Sequence, residues 1–371
     1  MGSVVRCVPG FSLDVAQPTT IGLGDSFVGG FVAAAGTKEN SFVDVIPLSS
    51  NRPRERFYRG GRKITEFRGE PPAGDREPED WVASTTTLAG EESLGLTVLP
   101  DGRSLKTTIE AEPEPWLGAA HLDRFGADTR LLVKLLDAGQ RLPVHAHPDA
   151  SFAAQHLGRA HGKAEAWFIV DGGEVYLGLK QDVTLDDLKS MVMSQDVDTM
   201  RGLLHRIEVR PGDIVYVPPG VLHAPGAGIF LVELQEPEDL SILLEWQDFE
   251  LDGQRDGHLG LGFDLALQAV ECRGRSAKEI HQLVRPAGFG SSVLPEAADQ
   301  YFRLERVALD GESTLEPGFA VLVVLSGEAD LAGGRTARWA AGSTAVVPNA
   351  VGPLRLRGRA EVLVCRPPRP R

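Results

Sequence analysis

Residues 212–223 read GDIVYVPPGVLH, and residues 342–353 read GSTAVVPNAVGP. In each segment a glycine precedes a short run of apolar and β-branched residues, a pattern typical of a turn followed by a strand. A turn that contains proline follows at the same spacing. The first segment ends in His223, whereas the second has Pro353 at that place. The repeat predicts two similar β-structures, of which the first can hold a metal at this position and the second cannot.

The rest of the chain continues the same pattern of short apolar runs bounded by Gly, Pro or Asp. With 42 glycines and 25 prolines, the sequence is rich in turn residues throughout. The apolar runs predict strands over residues 131–136, 166–170, 213–217, 228–234 and 320–325. Helical spacing of apolar residues is confined to a few stretches, chiefly 184–205 and 276–284. We therefore predict an all-β protein with a helical insertion, built from two β-barrels or jelly rolls.

Composition excludes several classes of protein. The 371 residues are 42% hydrophobic and carry a formal net charge of −14, which argues against nucleic acid or an anionic membrane as the main partner. No apolar run approaches the roughly 18 residues of a membrane span, and we expect no secretory signal. The three cysteines are too far apart for a disulfide framework. These features predict a reduced, soluble, cytoplasmic protein.

A candidate metal site begins at residues 145–147, which read HAH. Two histidines at i and i+2 of an extended segment point to the same face. Glu165 starts another predicted strand, and His223 follows the turn of the repeated segment. Together His145, His147, Glu165 and His223 can converge on one divalent cation and leave it a net positive charge for Lewis-acid chemistry. The alternative for the HAH pair alone is a role in packing or at the surface.

The segments around these residues resemble the cupin superfamily and, more narrowly, the class I phosphomannose isomerases. The resemblance extends from about residue 51 to about residue 246, and beyond that it is one of architecture. It is carried by PEDWVAS (78–84), LVKLLDA (132–138), RLPVHAHPD (141–149), GKAEAW (162–167) and PPGVLHA (218–224).

This resemblance implies a double cupin. We expect a metal-binding cupin with a helical insertion over residues 41–270, and a linker helix with a metal-free cupin over 271–371. It also implies His145, His147, Glu165 and His223 as metal ligands, although the isomerases usually have glutamine at the first position. Zinc is the expected metal, and the set of three histidines and one glutamate also suits Mn, Fe or Ni.

Members of this family interconvert mannose 6-phosphate and fructose 6-phosphate through an enediol. The resemblance implies Glu233 as the proton-transfer residue and Lys163 as a catalytic, substrate-facing lysine. Leu243 stands where the family has an arginine that faces the sugar, so that either another base replaces it or the substrate differs. Arg59 is our candidate for binding the substrate, with Arg62 and Lys63 beside it. The alternatives are an isomerase of a different or unphosphorylated sugar, a non-catalytic metal- and sugar-binding cupin, and an oxygen-using cupin.

The beginning of the chain has a separate resemblance. Residues 19–31, TTIGLGDSFVGGF, resemble the C-terminal signature of ribokinase-like and ADP-dependent sugar kinases. In those kinases the aspartate that corresponds to Asp25 acts as a base at a helix start. A kinase domain is much longer than this segment, so we interpret residues 1–40 as a kinase-like remnant or extension and expect no kinase activity from it.

Overall fold

A computed structural model describes residues 44–332 and 338–370 of the chain. The kinase-like segment predicted over residues 1–40 lies outside these described residues. The strands are β1 Ile46–Leu48, β2 Glu79–Val82, β3 Leu132–Asp137, β4 His145–Ala146, β5 Glu165–Asp171, β6 Gly173–Leu179, β7 Leu204–Val209, β8 Asp213–Val217, β9 His223–Pro225, β10 Phe230–Gln235, β11 Ile242–Leu243, β12 Val284–Pro286, β13 Arg303–Leu315, β14 Ala320–Ala332, β15 Arg338–Ala340, β16 Thr344–Val347 and β17 Leu354–Arg366.

Short helices connect these strands. The α-helices are α1 Arg62–Arg68, α2 Leu105–Ala111, α3 Pro113–Leu117, α4 Ala119–Phe125, α5 Ala150–Leu157, α6 Leu185–Ser194, α7 Val197–Leu203, α8 Gly253–Asp256, α9 Phe263–Ala266 and α10 Ala277–Leu283. Three single-turn 3₁₀ helices lie at Leu267–Ala269, Glu296–Ala298 and Asn349–Val351. The described residues include no helix with the length and apolar character that crossing a bilayer requires.

Two antiparallel sheets form the first half of the described chain. One has the strand order β12-β8-β5-β10-β3-β2, and the other has the order β11-β4-β9-β6-β7. β4 and β9 pair so that His145 lies opposite His223, while β5, which begins at Glu165, belongs to the facing sheet. The candidate metal ligands therefore come from both sheets and meet between them.

A third antiparallel sheet has the order β1-β16-β14-β17-β13, with β15 paired to β14. The repeat seen in the sequence is present, since β8 and β16 each follow a glycine turn, at Gly212 and Gly342, where φ is 87° and 85°. The predicted mainly-β, double-cupin fold class is thereby confirmed, although its strands form open sheets. β1 pairs with β16, so residues 46–48 contribute to the sheet of the second half. The domain division near residue 270 stays a prediction.

The helical stretch predicted over 184–205 is two helices, α6 and α7. Gln195 ends α6 in the left-handed region with φ of 52°, and Asp196 caps α7 by accepting from the backbone N–H of Thr199. The stretch predicted over 276–284 is α10, which begins with a capping box between Ser276 and Glu279. The three consecutive helices α2 to α4 were not predicted, since each has five or seven residues.

A buried ion pair of the first half is hydrogen-bonded to the third sheet, and it gives the first testable prediction. Asp80 in β2 is 0% exposed, and the side chain of Arg68, at the end of α1, is 4% exposed. Arg68 also donates to Thr344 Oγ1 at 3.0 Å in the third sheet. Asp80→Ala would leave the guanidinium buried without its carboxylate, so we expect it to lower the free energy of unfolding by about 3–5 kcal/mol.

Urea denaturation at a fixed metal concentration measures this effect. Glu66→Ala is the matched control, because it removes an exposed carboxylate from the pair with Arg62 on the same helix. Loss of such a surface pair costs about 1 kcal/mol or less. Equal destabilisation by Asp80→Ala and Glu66→Ala would contradict the importance of the buried pair.

Candidate active site

Three histidine side chains meet in the space between the first two sheets. His145, His147 and His223 are all buried, and a ligand nitrogen of each lies within 4.8 Å of those of the other two. The ring centroids of His145 and His223 are 4.0 Å apart because the two residues are paired across β4 and β9. His147 follows two residues after His145 and so faces the same side. The structure thus brings together all three histidines that the sequence selected.

Backbone carbonyls orient the three rings in the same way. The Nδ1 atoms of His145, His147 and His223 lie 2.8, 2.6 and 2.8 Å from the carbonyl oxygens of Pro143, Leu240 and Val221. A carbonyl can only accept, so each Nδ1 carries the proton and each Nε2 of a neutral ring keeps its lone pair. Burial keeps the pKa of His145 well below its usual range, and burial followed by Lys163 lowers the pKa of His147 to about 3. The rings of His145 and His147 are therefore neutral, and all three histidines direct Nε2 away from the backbone carbonyl that holds Nδ1.

Glu165 faces two of these lone pairs from the opposite sheet. Its Oε1 lies 3.0 Å from His223 Nε2, and its Oε2 lies 3.1 Å from His147 Nε2. Among the described residues, His223 Nε2 is a buried atom without a hydrogen-bond partner. Glu165 Oε1 and an unprotonated His223 Nε2 at this distance repel each other unless a cation lies between them. The donor set therefore fits a divalent metal ion, as the sequence predicted.

Lys163 brings the first positive charge to this cluster. Its Nζ donates to His147 Nε2 at 3.0 Å and lies 3.0 Å from Glu165 Oε2. Burial by itself would raise the pKa of Glu165, but the ammonium group of Lys163 lowers it well below the usual value. Glu165 is accordingly an ionised carboxylate, held between a lysine and the imidazoles.

Glu233 lies on β10 beside this cluster, opposite Lys134 on one side and Trp167 on the other. Its carboxylate is 3.5 Å from Lys134 Nζ, and its Oε2 is buried without a hydrogen bond to any described residue. Burial, and after it the charge of Glu165, raises the pKa of Glu233 to about 7. A carboxyl group with that pKa can both accept and return a proton near neutral pH.

A network behind Glu233 was not predicted from the sequence. Glu79 accepts hydrogen bonds from Tyr58 Oη and Trp81 Nε1, each at 2.7 Å, and from Arg56 Nε at 2.9 Å. Lys134 Nζ lies 3.3 Å from Glu79 and so connects it to Glu233. Glu79, Trp81 and Lys134 lie in the motifs that carry the family resemblance, and those motifs could have indicated them from the sequence. No sequence pattern around Arg56 distinguishes it from the other arginines.

Most of these residues, except Trp81, His147 and His223, line one cavity, here called the site cavity. It also contains Leu243, which pairs with His145 across β11 and β4. Its lining comprises Arg56, Phe57, Tyr58, Glu79, Lys134, Leu136, Leu142, Pro143, His145, Lys163, Glu165, Trp167, Pro225, Glu233, Asp239, Ser241 and Leu243.

The other basic residues proposed from the sequence lie elsewhere. The side chain of Arg59 is 66% exposed, 3.9 Å from Asp75, and Arg59 is not among the residues that line the site cavity. Arg62 pairs with Glu66 at the surface, and Lys63 Nζ contacts Asp171 at 2.8 Å. The structure thus does not bring Arg59 to the other site residues, because its side chain leaves the turn before α1 towards solvent.

Comparisons with known proteins agree on one relationship, although no family model matches the chain. The mannose-6-phosphate isomerase ManA of Bacillus subtilis is 28% identical over 325 residues, which is 84% of this chain and 95% of that protein. A crystal structure of mannose 6-phosphate isomerase from Bacillus subtilis covers 87% of this chain and 99% of its own, with a TM-score of 0.64 and 23% identity.

A mannose 6-phosphate isomerase bound with zinc and yttrium has the same fold, with a TM-score of 0.67 and 16% identity over 88% of this chain and 100% of its own. The sequence relationship spans both halves of the described structure, and the structural matches show the same architecture. In sequence and in fold, this chain is similar to mannose-6-phosphate isomerases.

Proposed function

We propose that this chain is a metal-dependent aldose–ketose isomerase that interconverts mannose 6-phosphate and fructose 6-phosphate. One observation carries the proposal: three buried histidines converge with Glu165 beside a cavity that His145, Lys163 and Glu233 line. His145, His147, Glu165 and His223 would hold one divalent ion, for which zinc is the first candidate. When bound, such an ion polarises the carbonyl and hydroxyl groups of a sugar.

The remaining steps belong to the side chains. The Glu233 carboxylate takes the proton from C2 of the aldose, and the C2–H electron pair moves to make an enediolate. The same group returns the proton to C1, while a proton moves from O2 to O1, so that the ketose forms without net loss or gain. Lys134 and Lys163, whose ammonium groups lie in the cavity beside Glu233 and Glu165, stabilise the negative charge that develops on oxygen.

Arg56 is our candidate for the phosphate. It lines the site cavity together with Leu243, and its side chain is 12% exposed and held by Glu79 at 2.9 Å. We therefore assign to Arg56 the role that the sequence suggested for Arg59. Arginine suits this role because its planar fork can bind phosphate through two hydrogen bonds.

Substitution of the two arginines distinguishes these assignments. Arg56→Gln is expected to raise the KM for mannose 6-phosphate about 10-fold or more, since loss of a charged hydrogen bond costs about 1.5–3 kcal/mol. Arg59→Gln, three residues later and outside the site cavity, is expected to leave this KM unchanged. Steady-state kinetics of both variants provide the measurement, and the reverse pattern would restore Arg59 as the substrate-binding residue.

Direct assay of the isomerisation tests the proposed function itself. The zinc- or manganese-loaded protein is offered fructose 6-phosphate and free fructose side by side, and formation of the aldose is followed. Turnover of the phosphate alone is the expected result. Turnover of free fructose alone would favour the second candidate, an isomerase of an unphosphorylated sugar, for which the apolar Leu243 in the cavity lining is the supporting observation. Metal binding without turnover of either sugar would contradict both isomerase proposals.

A further inference from the structure

The segment 158–164 connects α5 to β5. It carries Lys163, two residues before Glu165, the proposed metal ligand with which β5 begins. It contains no helix or strand residues, so no ladder of hydrogen bonds fixes its position. On its inner side, the backbone N–H of Lys163 donates to Pro148 O at 3.0 Å. A Cβ at Gly162 would lie 2.5 Å from Pro148 O, so the turn packs closely against the residues that follow His147.

The outer side of the segment is held by Glu236, one residue beyond the end of β10. Its Oε2 accepts from the backbone N–H of Ala164 at 2.9 Å, and its own N–H donates to Ala164 O at 3.1 Å. Glu236 is 2% exposed, and burial raises the pKa of its carboxyl group. This contact ties the peptide between Lys163 and Glu165 to the strand that carries Glu233.

A cluster of hydrogen-bonded polar side chains lies beside Glu236. Asp128, Arg130, His161 and Glu236 are here called the outer clamp. Arg130 Nη1 donates to His161 Nδ1 at 2.9 Å, and His161 Nε2 lies 2.5 Å from Asp128 Oδ2. Because arginine can only donate, His161 Nδ1 accepts, and Nε2 carries the proton that it donates to Asp128. His161 Nδ1 is also 3.9 Å from Glu236 Oε1.

The outer clamp is separate from the site cavity. None of its four members is among the residues that line that cavity, and Asp128 and His161 instead border another cavity with Thr85, Lys106 and Glu110. His161 is buried, with only 5% of its surface exposed. Its buried, fully oriented ring lies in the same turn as Lys163, so a displacement of His161 moves the backbone that leads into Lys163 and Glu165.

We propose that the outer clamp is a set of positioning residues that fixes Lys163 and Glu165 for metal binding and isomerisation; this inference rests on the proposed function. An irregular segment has few restraints of its own, and a displacement of about 1 Å at a catalytic group can cost about 100-fold in rate. Partners that orient metal ligands from outside typically contribute about 10- to 100-fold in metal affinity or activity.

The test compares two substitutions at one position. Glu236→Leu removes the acceptor of the Ala164 N–H, whereas Glu236→Gln keeps an acceptor oxygen of the same shape. We expect Glu236→Leu to lower zinc affinity and kcat each about 10- to 100-fold, and Glu236→Gln to restore both to within about threefold of the original chain. Zinc titration against a chromophoric chelator gives the zinc affinity, and a thermal unfolding transition shows that each variant is folded. A role in stability alone would lower the unfolding temperature and leave the zinc affinity of the folded protein unchanged.

A second variant keeps the proposal testable if Glu236→Leu does not fold. Asp128 has a side chain that is 32% exposed, so Asp128→Ala removes the partner of His161 from a site near the surface. It is expected to weaken zinc binding, whereas Asp123→Ala, at an exposed position of α4, is not. Equal zinc affinity in Asp128→Ala and Asp123→Ala would overturn the proposal. Because zinc binding is measured without a sugar, failure of the isomerase assay would count against the proposed function and not against the outer clamp.

Discussion

Replacing His147 by alanine is expected to abolish metal binding and turnover together. His147 Nε2 lies 3.1 Å from Glu165 Oε2, and its Nδ1 is fixed by Leu240 O. Removal of this ring takes away one of four proposed ligand atoms and leaves the remaining donors with an incomplete set. The loss of zinc affinity should therefore exceed the roughly 10- to 100-fold that loss of an outer partner of a metal site costs.

Metal analysis after dialysis and an isomerase assay with added zinc measure this effect. His281→Ala is the matched control, because His281 is an exposed histidine on α10. It should keep the metal content and activity of the original chain. If His147→Ala retained stoichiometric zinc, His147 would be removed from the ligand set, and Lys163, which donates to its Nε2, would become its main partner.

The ligand cluster could be predicted from the sequence because its geometry follows from local rules. Alternation along an extended segment places His145 and His147 on one face. The turn before His223 repeats at residues 342–353, and the structure places both copies at corresponding strands, β8 and β16. Glu165 was selected because it starts a strand with a strong apolar pattern. These are properties of neighbouring residues, which a sequence displays directly, whereas the meeting of His145 with His223 and Glu165 depends on strand pairing and was implied by the family resemblance.

The charge network behind Glu233 could not be predicted in the same way. Arg56 and Glu79 are 23 residues apart in the chain, and Lys134 reaches Glu79 because β2 and β3 are adjacent, with Trp81 opposite Lys134. Strand order and register decide which of many arginines and glutamates meet. Arg59 and Arg56 are equally basic in the sequence, and the direction in which the chain enters α1 places one in solvent and the other in the cavity.

Position 243 is a leucine, where the resemblance to the isomerases implies an arginine, and the structure shows its surroundings. Leu243 lies opposite His145 in the β11–β4 pair and lines the site cavity, so the residue at this position forms part of the wall of the site itself. Arg56 lines the same cavity from another segment, held by Glu79 and 3.8 Å from Asp239. An anion bound there would meet a guanidinium already paired with carboxylates, so the phosphate has to compete with Asp239 for it.

The conservative substitution Glu233→Gln is expected to lower kcat about 10²- to 10⁴-fold, the usual contribution of a general base, while zinc affinity stays unchanged. Glutamine keeps the shape of the side chain but cannot accept a proton at neutral pH. Lys134 keeps its second carboxylate partner, Glu79, at 3.3 Å, so the buried ammonium remains paired and the fold is retained.

Glu208→Gln, at an exposed position on β7, provides the control and should leave kcat unchanged. Exchange of the C2 proton of the sugar with deuterium oxide offers an independent readout, because it reports proton abstraction even when the ketose does not form. Both kcat and this exchange should fall together in Glu233→Gln. Unchanged exchange with a lowered kcat would mean that Glu233 acts after proton abstraction. An unchanged kcat would assign the proton transfer to another carboxylate of the site cavity. Glu79 already accepts hydrogen bonds from three donors, so Asp239 would then be the next candidate.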